Sequence, residues 1–517
     1  MEHNNTLDNS QLTSDYSQHL LIEPLSLSPA GAMTEGLHST GKDIPSSHFT
    51  SNSQTYIHLL KGSVGPGCLS LPWAFSILGV PLGLAATGIL CILTSYNALC
   101  VMKVKKSVMD KRGVTYSDLG RKAYGLRFGR FVATVVCVQQ MAICTVYFTF
   151  IAENIAAVVL HSSGGTVAIS HRSIMLLTLP FVTALVSLPN LRVIAPATEG
   201  ATLLLFFAFL LVGIVIVESW DVKSDTPVGA TVGSIPQALA AIMYSYEGIN
   251  LIFPVESAMR RPASFNQLFI MAMTTVCGVF FTVGAVCVMA FGFVDDGSLA
   301  AFLMKNADQY VGSGGVALVY ITNIAVSISV LLTYPLQMFP CFSLVSQMAC
   351  CGGGGGNENQ VDILDLDYND MDDIYTDHYP SLSGGGGNDS QAYVLDSDND
   401  NMDSIHADQC SKPRTCLSES DIEGDSFRKR MTLVLITFVV ALTIPDVQEL
   451  ISLAGALAGS STALIIPPLL TLRYIPELED NRCGLQAVRC YLLVLVGVVL
   501  AIGGTAASIT DIVKQYV

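Results

Sequence analysis

Eleven stretches of this chain are apolar for long enough to cross a bilayer, and no other feature limits the fold as strongly. A hydrocarbon core about 30 Å thick takes about 20 residues of helix. Inside it, lipid offers no hydrogen bonds, so each peptide N–H and C=O must be satisfied within the protein. The stretches lie near 56–79, 80–102, 128–160, 172–190, 191–217, 234–258, 266–293, 313–347, 428–445, 447–472 and 487–511. The third is longer than a bilayer needs, which predicts a tilted helix. Of 517 residues, 51% are hydrophobic and 13% charged, and the apolar residues run on continuously instead of forming the periodic stripes of a soluble core. The expected fold class is an all-α membrane protein with eleven transmembrane helices.

Basic residues give an independent reading of topology. With a cytoplasmic amino terminus, the inner loops collect Lys103, Lys105, Lys106, Lys111, Arg112, Arg121, Lys122, Arg127 and Arg130 after span 2. Arg260 and Arg261 follow span 6, and Arg428, Lys429 and Arg430 precede span 9. Of the 26 basic residues, only Arg172, Lys223, Lys305 and Lys514 fall outside. This asymmetry predicts an odd number of spans, an inner amino end and an outer carboxyl end.

Residues 351–427 hold 18 of the 42 acids against two bases, Lys412 and Arg414, a net of −16 that equals the charge of the whole chain. The membrane body is therefore balanced, and the acidic pI carries no information about substrate. Rich in glycine and aspartate, the segment cannot bury a core. The expected organisation is a disordered cytoplasmic tail at 1–54, spans 1–8 within 55–348, a disordered acidic cytoplasmic loop at 349–427, and spans 9–11 within 428–517. Within the loop, Tyr368-Asn-Asp-Met371, Tyr379-Pro-Ser-Leu382 and its serines are candidates for sorting or signalling partners, beside the plainer reading of a solvated linker. Cys350-Cys351 at the inner end of span 8 is a candidate for palmitoylation. The tail has neither a basic start nor an apolar stretch, so no cleaved signal peptide is expected. The 14 cysteines show no CxxC or Cys/His metal spacing, and no Walker lysine loop, GxSxG elbow or HExxH occurs. No enzyme, no metal, no cofactor and no nucleic-acid partner is expected.

Two spans are interrupted at matching places. Lys61-Gly-Ser-Val-Gly-Pro-Gly67 breaks the first, about 12–20 Å into the bilayer, and Tyr246-Glu-Gly-Ile-Asn250 breaks the sixth, about 20 Å after its start. Glycine and proline at that depth free backbone polar groups, which persist only where they line a cavity or bind something. Paired breaks in corresponding positions point to a transporter's binding site. Spans 1–5 and 6–10 each open on a broken helix and run in opposite directions, which predicts a 5+5 inverted repeat plus one extra helix. A broken helix offers a positive half-helix N-terminus and a negative C-terminus at one point, suited to the carboxylate and ammonium of an amino acid substrate. The glycines have a second reading as small residues for tight helix packing. Pro66 favours real unwinding.

Four stretches carry a family resemblance: His58-Leu-Leu-Lys-Gly-Ser-Val-Gly-Pro-Gly-Cys-Leu-Ser-Leu-Pro72, Cys144-Thr-Val-Tyr-Phe-Thr-Phe-Ile-Ala-Glu-Asn154, Tyr246-Glu-Gly-Ile-Asn-Leu-Ile-Phe-Pro-Val-Glu256 and Ile451-Ser-Leu-Ala-Gly-Ala-Leu-Ala-Gly-Ser-Ser-Thr-Ala-Leu-Ile-Ile-Pro-Pro468. In this order they resemble signature stretches of the amino acid/auxin permease superfamily, with the proton-coupled and vacuolar amino acid transporters as the nearest branch. The resemblance covers 55–348 and 428–511. It implies a leucine-transporter-type fold that moves small neutral amino acids, commonly by proton symport, and a coupling role for His58. The first break departs from the relatives' usual Gly-Asn-x-Gly-Thr-Gly, with Ser63 and Pro66 replacing the amide and the hydroxyl, which bears on substrate preference.

Charges at bilayer depth are costly and mark function. The candidates are His58, Lys61, Glu153, Glu199, Glu247 and Glu256. His58 lies one turn before Gly62 on the same helix face and titrates near neutral pH; its other reading is a structural histidine bonded to a carbonyl or carboxylate. Glu247 either titrates or caps backbone freed by the break, and the shared Phe/Tyr-Glu-Gly pattern favours the cap. Glu153 and Glu256 sit near span ends, where pairing with bases is expected. Thr333 and Tyr334 are candidates for lining the path. The expected substrate-binding set is Gly62, Ser63, Gly65, Gly67, Tyr246, Glu247, Gly248 and Thr333, with His58 for proton coupling and sodium left open as an alternative ion. A multi-pass protein of the vacuolar, lysosomal or plasma membrane is expected, transporting by alternating access. An amino acid sensor with little flux is the rival reading.

Overall fold

Ser51 opens the first helix. Its hydroxyl accepts the Gln54 N–H at 3.3 Å, and the Gln54 side chain accepts the Ser51 N–H at 2.8 Å, a reciprocal cap that satisfies two otherwise orphaned donors. The start of this helix falls inside the expected tail, where Thr50 also pairs with the chain at the end of span 6: its N–H donates to the Ala258 carbonyl at 2.8 Å and its carbonyl accepts from Arg260 N–H at 3.0 Å. The computed structural model describes residues 50–109, 112–188, 191–218, 232–246, 248–311, 315–350, 419–444, 446–474 and 483–516. Glu247, Cys351, Tyr368, Tyr379 and the rest of the acidic loop up to 418 lie outside the described residues.

Helix α1 (Asn52–Ser63) stops at Val64, and Val64 and Gly65 are extended before a 3₁₀ turn at Pro66–Ser70 leads into α2 (Leu71–Leu78). The interruption is narrower than the expected Lys61–Gly67, because Lys61, Gly62 and Ser63 stay helical and Pro66, lacking an N–H, starts the next helical turn. Span 6 breaks as well. Its halves are α8 (Ile235–Ser245) and α9 (Ile252–Ser257), with Tyr246 non-helical and a 3₁₀ turn at Gly248–Leu251 between them.

The remaining long helices are α3 (Val80–Val108), α5 (Leu126–Ser162), α6 (His171–Val186), α7 (Leu191–Glu218), α10 (Phe265–Phe291), α13 (Val316–Cys350), α14 (Glu419–Thr443) and α17 (Cys483–Tyr516). Between them sit three short helices that apolar-run length does not reveal: α4 (Tyr116–Tyr124), α11 (Leu299–Lys305) and α12 (Ala307–Tyr310). Helix α14 begins nine residues before the expected 428. The tenth span is composite, with α15 (Val447–Ala454) and α16 (Ile466–Tyr474) joined by two π-helical segments, Gly455–Gly459 and Ser461–Ile465. Glycine at 455 is required by close approach, since a Cβ there would stand 1.9 Å from the Ala240 carbonyl oxygen of α8.

Among the described residues the protein is all helix apart from an isolated bridge between Thr50 and Met259. Seven helices are by themselves long and apolar enough to cross a membrane, and the shorter Pro66–Leu78 and His171–Val186 are apolar too. Helix α5 and the composite tenth span run through the centre, 72% and 78% buried over their apolar windows, whereas α17 is 22% buried. Leu492, Leu495, Val499 and Ile502 of α17 are exposed, a face suited to lipid tails. Helix α13 packs on α7 and α5, and α2 packs on α8 and α10.

Candidate functional site

The two breaks face each other. Ser245 Oγ, at the end of α8, donates to the Gly67 carbonyl at 3.1 Å. A Cβ added at Gly248 would lie 3.1 Å from Ser63 Oγ, and one at Gly62 would lie 2.5 Å from Leu251 Cδ1. Gly62 and Gly248 therefore let the two interrupted backbones touch. Gly65 differs, because its Cβ would meet nothing within 4 Å.

Beside the breaks is a cavity of about 350 Å³, within the usual range for small-molecule sites. Its wall takes in His58, Gly62, Ser63, Gly65 and Gly67 from span 1, Gly248 from span 6 and Thr333 from α13. It also reaches Gly113–Ser117, the segment leading into α4. The structure thus brings seven of the expected site residues together with His58 among them. Tyr246 is turned away: its hydroxyl donates to the Thr87 carbonyl of α3 at 3.2 Å and its ring packs 5.0 Å from Phe280. Tyr244 and Ser245 line the cavity in its place. Tyr334 likewise leaves the path, since it is 1% exposed and hydrogen-bonded to Thr437 at 2.7 Å.

Residues outside the expected site set also form the wall. Gln337 Nε2 donates to Gln140 Oε1 at 2.6 Å, linking α13 to α5 across the cavity edge. Ser329, Thr333 and Gln337 recur every fourth residue of α13 and all line the cavity. This polar stripe in an apolar span was the sequence signal for that wall, and Gln140 with Tyr147, seven apart on α5, was its counterpart.

The charged groups divide by place. His58 and Lys61, three residues apart on α1, face the cavity, and Glu199 of α7, also in the wall, is the acid whose field reaches both. Lys61 lies in the last turn of α1, where a cation complements the helix dipole. Glu256 of α9 is ion-paired with Lys105 of α3, both buried, with side-chain exposures of 7% and 3%. Glu153 of α5 lies 3.8 Å from Lys305. Among the described residues no group of three or more His, Cys, Asp and Glu side chains is arranged to hold a metal ion.

The geometry offers half-helix ends, a polar stripe and titratable groups around one small cavity. Comparison with known proteins agrees with that character. Residues 48–510 match the family described as "Transmembrane amino acid transporter protein". The chain is 26% identical to vacuolar amino acid transporter 3 of Schizosaccharomyces pombe over 57% of this chain and 43% of that protein. The corresponding Saccharomyces cerevisiae protein is 26% identical over 60% and 44%, so the matched region spans less than half of these two relatives. Amino acid transporter AVT3B of Arabidopsis thaliana is 22% identical over 95% of this chain and 100% of that protein. Among solved structures, a manganese transporter of Eremococcus coleocola aligns with a TM-score of 0.46 and 12% identity over 90% of this chain and 94% of that one. With nine-tenths of its length matching the family, this chain is a multi-pass integral membrane protein that belongs to the transmembrane amino acid transporters, a family of carriers and not of enzymes.

Proposed function

We propose that this protein is a secondary active transporter of small neutral amino acids, coupled to protons as a symporter and working by alternating access. The observation that carries the reading is the apposition of the two broken helices beside a cavity of about 350 Å³. In this reading the carboxylate binds the peptide N–H groups at the helical start near Gly65 and Gly67, which have no intrahelical acceptor. The ammonium binds the carbonyl ends of α1 and α8. His58 carries or gates the driving proton. The chain crosses the membrane eleven times as a 5+5 inverted repeat plus one helix, with the amino terminus cytoplasmic. In that frame Gly113–Ser117, part of the cavity wall, lies on the cytoplasmic side, which supports an inward-facing conformation. The names of the fungal relatives support a vacuolar membrane, and a Drosophila melanogaster relative named as proton-coupled amino acid transporter-like supports the driving ion.

The test is flux of labelled small neutral amino acids into vesicles containing the purified protein, with and without an imposed pH gradient. Accumulation that follows the gradient and collapses with a protonophore is expected. Binding without accumulation would replace the reading with that of a sensor.

A further inference from the structure

Helices α8, α15 and α17 pack on one another, away from the cavity between the broken spans. Glycines on α17 make the approach close and fix its register. A Cβ at Gly497 would stand 2.9 Å from Leu464 Cβ, and one at Gly504 would stand 2.7 Å from Ala456 Cβ and 3.4 Å from the Pro236 carbonyl oxygen of α8. As α17 advances from 497 to 504, its neighbour on the tenth span therefore moves back from 464 to 456. The two run antiparallel, and one helical turn further on Ser508 comes opposite Ser452.

Both serines are 0% exposed, and neither hydroxyl has a hydrogen-bond partner among the described residues. A serine or threonine within a helix commonly donates to the carbonyl one turn back, as Thr333 does to Ser329 at 2.8 Å and Thr471 does to Pro467 at 2.9 Å. Ser452 and Ser508 form no such bond, and the register aims both oxygens into the space between the helices.

Glu449 adds a carboxylate. It lies three residues before Ser452, on the same face of α15, and is 4% exposed. Its Oε2 accepts from Gln237 Nε2 of α8 at 3.0 Å, and it forms no ion pair among the described residues. The other charged groups near it are Asp446, which caps α15 by accepting the Gln448 N–H at 3.0 Å, and Asp511 and Lys514 of α17. Those last two pair with each other at 2.6 Å, and the Lys514 side chain is 70% exposed. Lys514 is thus spent on Asp511.

A buried carboxylate is costly unless a positive charge compensates it, and the Gln237 amide is neutral. A proton would neutralise Glu449 but leave both hydroxyls without partners. A hard cation serves all three groups, since such ions take carboxylate and hydroxyl oxygens together. One carboxylate with two neutral hydroxyls balances a single positive charge, and the close packing at Gly504 suits a small ion.

We propose that Glu449, Ser452 and Ser508 bind one sodium ion between α8, α15 and α17. The ion ties these helices together at a point separate from the broken-helix cavity, and it steadies α8, whose far end brings Tyr244 and Ser245 to the cavity wall. The site is a property of the folded chain and does not depend on the transport reading.

Equilibrium binding of radiolabelled sodium to the purified full-length protein tests this, at constant ionic strength with choline as the replacing cation. Saturable binding is expected in the wild type, displaced by unlabelled sodium and not by choline. Glu449→Gln should abolish it while still accepting from Gln237. Ser452→Ala combined with Ser508→Ala changes no charge and should weaken binding about tenfold or more, the order expected when contacts to a charged group are lost. No saturable binding in the wild type, or binding unchanged in Glu449→Gln, would overturn the proposal. Unchanged binding in the double serine variant would overturn it too, because the hydroxyls would not be ligands. If Glu449→Gln is not monodisperse, the double serine variant decides. A wild type that takes no sodium, yet whose heat resistance shifts with pH unless Glu449 is replaced, would assign the carboxylate to a proton instead. No flux enters these measurements, so a protein that moves no amino acid but binds sodium in this way would refute the transport reading and leave the ion site standing.

Discussion

Removing one partner of the buried Lys105–Glu256 pair is expected to damage this protein more than removing both. The pair joins the C-terminal end of α3 to α9, the second half of the broken sixth span, and the two side chains are 3% and 7% exposed. Lys105 also stands 6.0 Å from the centre of the Phe253 ring, so its charge has an aromatic face as well as a carboxylate. Lys105→Met leaves a carboxylate with no ammonium and almost no water, and Glu256→Gln leaves an ammonium in the same position. Either should cost about 3–5 kcal/mol, most of it the desolvation of the stranded charge. The double variant removes both charges and should return to within about 1–2 kcal/mol of wild type, because the attraction of a buried pair scarcely exceeds its desolvation. The assay is the fraction of monodisperse protein surviving a heating series, measured by size-exclusion chromatography on wild type, both single variants and the double. A double variant whose loss equals the sum of the single losses would refute the reasoning, since it would mean the charges do not depend on each other.

Gly65→Val should fold normally, because the backbone there is extended (φ −114°, ψ −173°) and a Cβ meets nothing within 4 Å; the side chain would enter the cavity, so both uptake and equal-pool exchange should be lost in protein of normal yield. Gly455→Ala should do the opposite, destabilising by about 1–3 kcal/mol or more through overpacking against the Ala240 carbonyl, which the yield of monodisperse protein would report. His58→Ala should abolish concentrative uptake driven by acid outside while exchange between equal pools partly survives, and unchanged pH-dependent accumulation would reassign coupling to another group. An epitope placed within 357–425 should be reached by antibody only from the cytoplasmic face, and labelling from the opposite face would invert the topology.

What the sequence determined by itself was local chemistry. Apolar runs of about 20 residues require helix, since no other open structure satisfies its peptide groups in lipid. Pro66 cannot bond backward within a helix, so the first span had to be interrupted near it, and the capping pair Ser51 and Gln54 was equally local. Facing was a different matter. In a soluble protein the polar face of a helix shows which side is out, but lipid tails are as apolar as the protein interior, so a span such as 234–258 carries little periodic signal. Tyr244, Ser245 and Tyr246 are consecutive, and only tertiary contacts with Thr87 of α3 and Phe280 of α10 decided that Tyr246 turns away while the other two meet the cavity. The same holds for Thr333 against Tyr334. Pairings between distant segments, Lys105 with Glu256, Glu153 with Lys305 and Thr50 with Ala258, are also absent from any local pattern. Nor does a seven-residue helix such as α11 stand out from the loop around it by hydropathy, since its burial comes entirely from the helices that close over it. Only the tertiary structure decided those, because they follow from which helices touch.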